Sequence, residues 1–81
     1  MPKVFSWRGC RFHFFSNEGS PLEPCHIHVQ KDGKRAKFWL DPAISLDYNY
    51  GFSGKELRNF HDIIKQNEDL IRDSWYEHFN Y

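Results

Sequence analysis

The chain is expected to form an α+β domain in which a four-stranded antiparallel meander packs on one long C-terminal helix. Three observations predict it. The runs His26-Ile27-His28-Val29 and Lys37-Phe38-Trp39-Leu40 alternate with period 2 and flank Asp32-Gly33, a strong two-residue hairpin signal. The segment from Lys3 to Ser16 divides in the same way about Arg8-Gly9. Beyond Ser53, apolar residues recur at helical spacing, and no proline or glycine interrupts the chain from Lys55 to Phe79.

The first strand is expected near Lys3–Trp7 and the second near Cys10–Ser16. A two-residue loop at Arg8-Gly9 sets Trp7 opposite Cys10, Ser6 opposite Arg11, Phe5 opposite Phe12 and Val4 opposite His13. Phe5, Trp7, Cys10, Phe12 and Phe14 then share one face. Val4, Ser6, Arg11, His13 and Phe15 share the other. Asn17–Cys25 holds Gly19, Pro21 and Pro24 and reads as a loop.

Folding the second hairpin about Asp32-Gly33 sets Lys31 opposite Lys34, Gln30 opposite Arg35, Val29 opposite Ala36, His28 opposite Lys37, Ile27 opposite Phe38 and His26 opposite Trp39. Every apolar residue except Trp39 points one way. Asp41-Pro42 ends the fourth strand, because proline cannot donate to a ladder. Residues 43–52 read as a connection, with a short helical stretch at 43–48 and a turn at Asn49-Tyr50-Gly51.

Ser53-Gly54-Lys55-Glu56 is a capping box, with Ser53 as N-cap and Glu56 reaching back from the third helical position. Leu57, Phe60, Ile64, Ile71 and Trp75 form the apolar stripe, with Ile63 and Leu70 at its edge. A continuous helix of about 26 residues would be roughly 39 Å long. A seven-residue strand spans only about 23 Å. The helix must therefore kink or overhang the sheet. Asn67, inside the stripe, marks the place for a kink or a buried hydrogen bond. An overhang would also permit a homodimer. Residues 1–81 thus read as one domain, with the meander at 1–42, the connection at 43–52 and the helix at 53–79.

The composition fits one small domain. A core of 81 residues is thin, and fifteen aromatic residues supply its mass. Two cysteines are too few for a disulfide scaffold, and Cys10 on an inner face is poorly placed to pair with Cys25 in a loop. No apolar run is long enough to span a membrane and no signal peptide opens the chain, so a cytoplasmic protein without membrane partners is expected. Net charge is zero, but residues 1–40 carry seven Lys/Arg against three Asp/Glu, and residues 41–81 carry four against eight. Such a split suits polyanion binding by one half, or attraction between sheet and helix within the monomer. There is no glycine-rich phosphate loop, and nothing supports nucleotide hydrolysis.

The polar sheet face is the functional lead. Arg11, His13, Phe15, His26, His28, Gln30, Arg35, Lys37 and Trp39 gather on it. Four readings compete. Basic residues with Phe15 and Trp39 suit nucleic acid, by phosphate neutralisation and base stacking. His26 and His28, about 6.5–7 Å apart along one strand face, suit a general acid/base pair in RNA cleavage, with Lys37 or Arg35 on the developing charge. A His-x-His pair with His13, or with Cys25, suits a metal, although no strand carboxylate completes the set. The fourth reading is structural, with the histidines pairing across strands and Trp39 covered by the chain's own Tyr48, Tyr50 and Phe52, or by a partner.

Several motifs, in order, resemble a known family of short prokaryotic and phage proteins. They are Phe12-His13-Phe14-Phe15-Ser16-Asn17-Glu18, Glu23-Pro24-Cys25-His26-Ile27-His28-Val29, Ala36-Lys37-Phe38-Trp39-Leu40-Asp41-Pro42, Gly51-Phe52-Ser53 and Glu56-Leu57. The family is domain-of-unknown-function family 4160, and the likeness covers nearly the whole chain. It implies one component of a toxin–antitoxin-like pair and carries over His26, His28, Lys37 and Trp39 as shared positions. Two departures stand out: Cys25 replaces the family's usual second proline, and His13 stands where Tyr or Phe is expected.

The combined expectation is a small binding protein that meets a protein partner through Arg11, His13, Phe15, Arg35, Lys37 and Trp39, in a toxin–antitoxin-like or phage–host module. The alternative is an RNA-binding protein or metal-independent endoribonuclease with His26, His28 and Lys37 as its catalytic residues. Neither reading requires a cofactor or a metal.

Overall fold

Two tight turns set the sheet in register. Arg8 and Gly9 have φ of 49° and 77°, and Asp32 and Gly33 have φ of 48° and 79°. Two successive positive φ values are the backbone of a type I′ turn, whose twist matches that of the strands it joins. The computed structural model describes residues 3–15 and 23–79. Within them β1 (Lys3–Trp7), β2 (Cys10–His13), β3 (His26–Lys31), β4 (Lys34–Trp39) and β5 (Ser45–Tyr50) form one antiparallel sheet in the order β1-β2-β3-β4-β5.

All six expected pairs of the β3–β4 hairpin are present, from Lys31 opposite Lys34 to His26 opposite Trp39. In the first hairpin Trp7, Ser6 and Phe5 meet Cys10, Arg11 and Phe12 as expected. The fourth pair differs. Lys3, not Val4, lies opposite His13, because an irregularity between Lys3 and Phe5 puts Val4 out of register. Val4 packs instead against the core. β2 ends at His13, earlier than expected, and residues 16–22 of the expected second strand and loop lie outside the described residues.

The sheet has five strands rather than four. Residues 45–50 pair along β4 as a strand, not as a helical connection. The apolar Leu46, Tyr48 and Tyr50 alternate with Asp47 and Asn49, a period-2 pattern that half-buried strands require. A register shift between Lys37 and Phe38 brings Tyr48 beside Lys37 and Leu46 beside Phe38. The Asn49 side chain closes the exit turn: its Oδ1 accepts from the Phe52 amide (3.1 Å) and its Nδ2 donates to the Phe52 carbonyl (3.0 Å).

Two helices replace the single long one. α1 (Gly54–Gln66) starts on the expected capping box: Ser53 Oγ accepts from the Glu56 amide (3.1 Å), and Glu56 Oε1 accepts from the Ser53 amide (2.9 Å). α2 (Glu68–Phe79) follows after one residue. Asn67, at φ −111° and ψ 19°, leaves the helical conformation, and its Nδ2 donates to the Ile63 carbonyl at 2.9 Å. The Asn67 carbonyl in turn accepts from the Ile71 amide (2.9 Å) and so opens α2. The break lets Phe60 and Ile64 on α1 and Ile71 and Trp75 on α2 all reach the core. The homodimer was expected from a single long helix overhanging the sheet, and the chain takes the other expected course, a bend at Asn67.

The core lies between the helices and the sheet face carrying Phe12, Phe14, Ile27, Val29, Ala36, Phe38 and Leu40. Phe60 contacts Phe12, Trp7 and Phe52 edge-on, and Trp75 contacts Phe14 edge-on. Arg72 fastens α2 to the end of β4. It donates to Asp41 Oδ1 (2.8 Å), Glu68 Oε2 (3.0 Å) and the Leu40 carbonyl (3.2 Å). Among the described residues no ion pair joins a sheet cation to a helix carboxylate, and the pair linking the layers, Arg72 to Asp41, runs the other way. No helix among them is long and apolar enough to cross a membrane.

Candidate functional site

Strand alternation delivers the expected residues to one face. His13 lies opposite His28, Arg11 opposite Gln30, His28 opposite Lys37 and His26 opposite Trp39. β5 adds Tyr48 beside Lys37 and Tyr50 beside Arg35. The result is a continuous layer of rings. His13 stacks on His28 at 5.7 Å, Phe15 tilts against His28 at 4.3 Å, and His26 stands edge-on to His28 at 5.3 Å.

The layer is not open in the way the sequence suggests. His13, His26 and His28 are 2 %, 0 % and 5 % exposed. The His13 and His28 rings stack, His26 meets His28 edge-on, and larger aromatic side chains flank all three, so they cover one another. Arg11 and Arg35 remain exposed, and Phe15, Lys37 and Trp39 are half-buried.

Each histidine has a different environment. His26 is wedged between Trp39 (5.1 Å) and Trp75 (4.9 Å), and its Nδ1–H donates to the Pro24 carbonyl at 2.9 Å. It reads as a structural side chain joining the sheet to α2. With no exposed surface it cannot flank a phosphate, so the packing does not suit His26 and His28 as an acid/base pair. The Asp41 carboxylate at the end of β4 is engaged by Arg72. His28 shares a hydrogen bond of 3.3 Å between its Nδ1 and the Tyr48 hydroxyl.

His13 is the exception. Among the described residues neither of its ring nitrogens has a partner within hydrogen-bond geometry, although both are buried and the Phe14 backbone and the Gln30 side chain lie close by. Burial pushes its pKa below the ordinary histidine value; the Phe14 backbone opposes this, and the nearby His28 and Arg11 add to the lowering. A buried polar group without a partner typically costs about 1–3 kcal/mol, and such groups in folded proteins call for an explanation.

Lys37 is not a free cation. Its ammonium lies 4.0 Å above the Trp39 ring, 3.4 Å from Asp47 Oδ2 and 3.8 Å from Glu23 Oε1. Arg11 donates to Gln30 Oε1 at 3.4 Å. The Arg35 guanidinium sits 5.1 Å over the Tyr50 ring.

The three histidines do not converge on a metal. Among the described residues no three His, Cys, Asp or Glu side chains gather as ligands. Cys25 is buried with a free thiol, and burial pushes its pKa up to about 12, so it is not poised as a thiolate.

What the face does contain is a pocket of about 250 Å³. His13 and Phe15 wall it from the β2 side, and Arg35 and Tyr48 from the β4–β5 side. His28 and Gln30 of β3, the strand between, form the floor. Among the described residues no carboxylate lines it. Tyr48 and Tyr50, expected at most as cover for Trp39 from a connecting segment, complete this half of the face from β5, beside Lys37 and Arg35. The alternation of residues 46–50 was the signal that could have found them.

A family model described as domain of unknown function (DUF4160) matches residues 9–76. No curated protein and no solved structure matches the chain.

Proposed function

The chain belongs to the DUF4160 family, and we propose that this member is a small binding module that meets a protein partner through the β4–β5 side of its polar sheet face, as one component of a toxin–antitoxin-like or phage–host pair. The observation that carries this reading is the Arg35–Tyr50 pair. Tyr50 is 58 % exposed at the end of an edge strand, with the Arg35 guanidinium stacked on its ring. Tyrosine and arginine are enriched among residues that dominate binding energy, since both present large, adaptable contact surfaces.

Two further features support it. Leu46, on the same edge strand, is 44 % exposed. Among the described residues β5 pairs on one side only, so its outer backbone groups are available to a strand from another chain. Trp39 and Phe15, both half-buried, extend the surface toward β3 and β2.

The test is to express the product of the adjacent gene and measure its affinity by calorimetry. Replacing Arg35 and Tyr50 together with alanine is expected to weaken the complex by about 2 kcal/mol or more, with the unfolding midpoint nearly unchanged. Wild-type affinity in that variant, or no complex with the neighbouring product, counts against the reading.

A further inference from the structure

The pocket between Phe15 and Tyr48 has a composition that the protein-partner reading does not use. Its polar side chains are the imidazoles of His13 and His28, the amide of Gln30, the hydroxyl of Tyr48 and the guanidinium of Arg35. Its walls are aromatic. Its volume, about 250 Å³, lies just under the roughly 300 Å³ at which small-molecule sites usually begin. A space of that size admits one planar ring system, not an extended ligand.

The distribution of charge narrows the class. Among the described residues the pocket lining holds no acid, and its rim carries two exposed arginines, Arg35 on one side and Arg11, bonded to Gln30, on the other. The nearest described carboxylates on this face, Glu23 and Asp47, are both spent on Lys37. The site therefore joins an aromatic slot and hydrogen-bonding groups to a cationic rim. At the slot's edge, His13 has two ring nitrogens without a partner. A neutral imidazole offers one donor and one acceptor, the pairing that the polar edge of a nucleobase also offers.

We propose that this pocket binds one nucleotide, with its base between Phe15 and Tyr48 and bonded at His13 and Gln30, and its phosphate on Arg35. Aromatic side chains hold bases by stacking, which tolerates any base because each has a π-face. Both His13 nitrogens are buried, so the base reaches them only when the Phe15 or His28 ring turns aside, and that movement is part of the proposal. The same chemistry is presented by a free mononucleotide and by one unit of single-stranded RNA. The proposal shares Arg35 and Phe15 with the partner reading but is tested apart from it, at His13 and Gln30 on the β2–β3 side.

The experiment is a titration of the full chain followed by NMR of the histidine ring Cε1–H resonances. The probes are the ribonucleoside monophosphates, a short single-stranded RNA and inorganic phosphate. A saturable shift at His13 with Kd below about 1 mM is expected for a nucleotide probe. Saturation by mononucleotides identifies the free nucleotide as the ligand; saturation by RNA alone identifies the strand. His13→Phe fills the site with an apolar ring and is expected to weaken binding about tenfold or more. Gln30→Leu, at a half-buried position, serves as the second variant with the same expectation. No shift with any nucleotide probe overturns the proposal. So does inorganic phosphate giving the same shift with the same affinity, because the site would then bind an anion without reading a base. Unchanged affinity in both folded variants overturns it as well.

Discussion

His13 and His28 stand side by side on adjacent strands, with ring centroids 5.7 Å apart and planes within 24° of parallel. His28 has the Tyr48 hydroxyl at its Nδ1, whereas His13 has no hydrogen-bond partner at either nitrogen. Protonating His13 would place a charge in a buried site beside His28 and Arg11, so its pKa falls.

A pH dependence follows. A histidine whose pKa is lower in the folded state binds fewer protons there than in the unfolded chain. Folding stability then decreases as pH falls below the unfolded value of about 6.5, by at most about 1.4 kcal/mol per pH unit for one group. Urea unfolding between neutral and mildly acidic pH should show this decline. His13→Phe should reduce it and should be neutral or stabilising at neutral pH, because it removes a buried polar group that has no partner. An equally steep decline in the variant would assign the acid sensitivity elsewhere.

Arg72 holds α2 to the end of β4 through Asp41, Glu68 and the Leu40 carbonyl. Arg72→Met keeps much of the apolar stem and removes all three bonds. A loss of about 1–2 kcal/mol is expected, at the lower end of charged hydrogen bonds because the side chain is partly exposed. A double-mutant cycle with Asp41→Asn should give a coupling of roughly 1 kcal/mol. Additive effects would mean that the pair contributes nothing of its own.

Asn67 is expected to be worth about 1 kcal/mol through its bond to the Ile63 carbonyl. Asn67→Ala removes that bond and favours a straight helix, which would draw Ile71 and Trp75 away from the sheet. The check is chemical denaturation together with tryptophan emission. An equally stable variant with unchanged emission would show that packing alone sets the bend.

The thiols should be silent in the native state. Cys10 and Cys25 are each 3 % exposed, and burial raises both pKa values. Thiol-specific reagents at neutral pH should label them only as fast as the domain opens. Rapid labelling of native protein would contradict the packing around them.

Much of the sheet was legible because the period-2 pattern and the turn residues agree. Asp32-Gly33 and Arg8-Gly9 supply positive φ where the turns need it, and that fixes which side chain faces which. Ser53 and Glu56 announced the start of α1 just as directly. β5 was missed despite its alternation, because Asp41-Pro42 upstream and Gly51 downstream mark out residues 43–50 as connecting chain. Whether such a segment becomes a strand depends on a free β4 edge to pair with, which is a property of the assembled sheet.

The sequence by itself determined the α+β class, the register of the β3–β4 hairpin, the capping box and the residues that β2, β3 and β4 place on the polar face. These follow from local rules: alternation, turn conformation and hydrogen bonds between near neighbours. Only the tertiary structure decided how those residues are used. Packing of α2 buried His26 against Trp75, β5 brought Tyr48 to His28, and Asp47 together with Glu23 took up Lys37. It left His13 buried without a partner. Burial and partnership depend on which distant elements arrive above a strand, and a strand's own pattern of side chains cannot specify that.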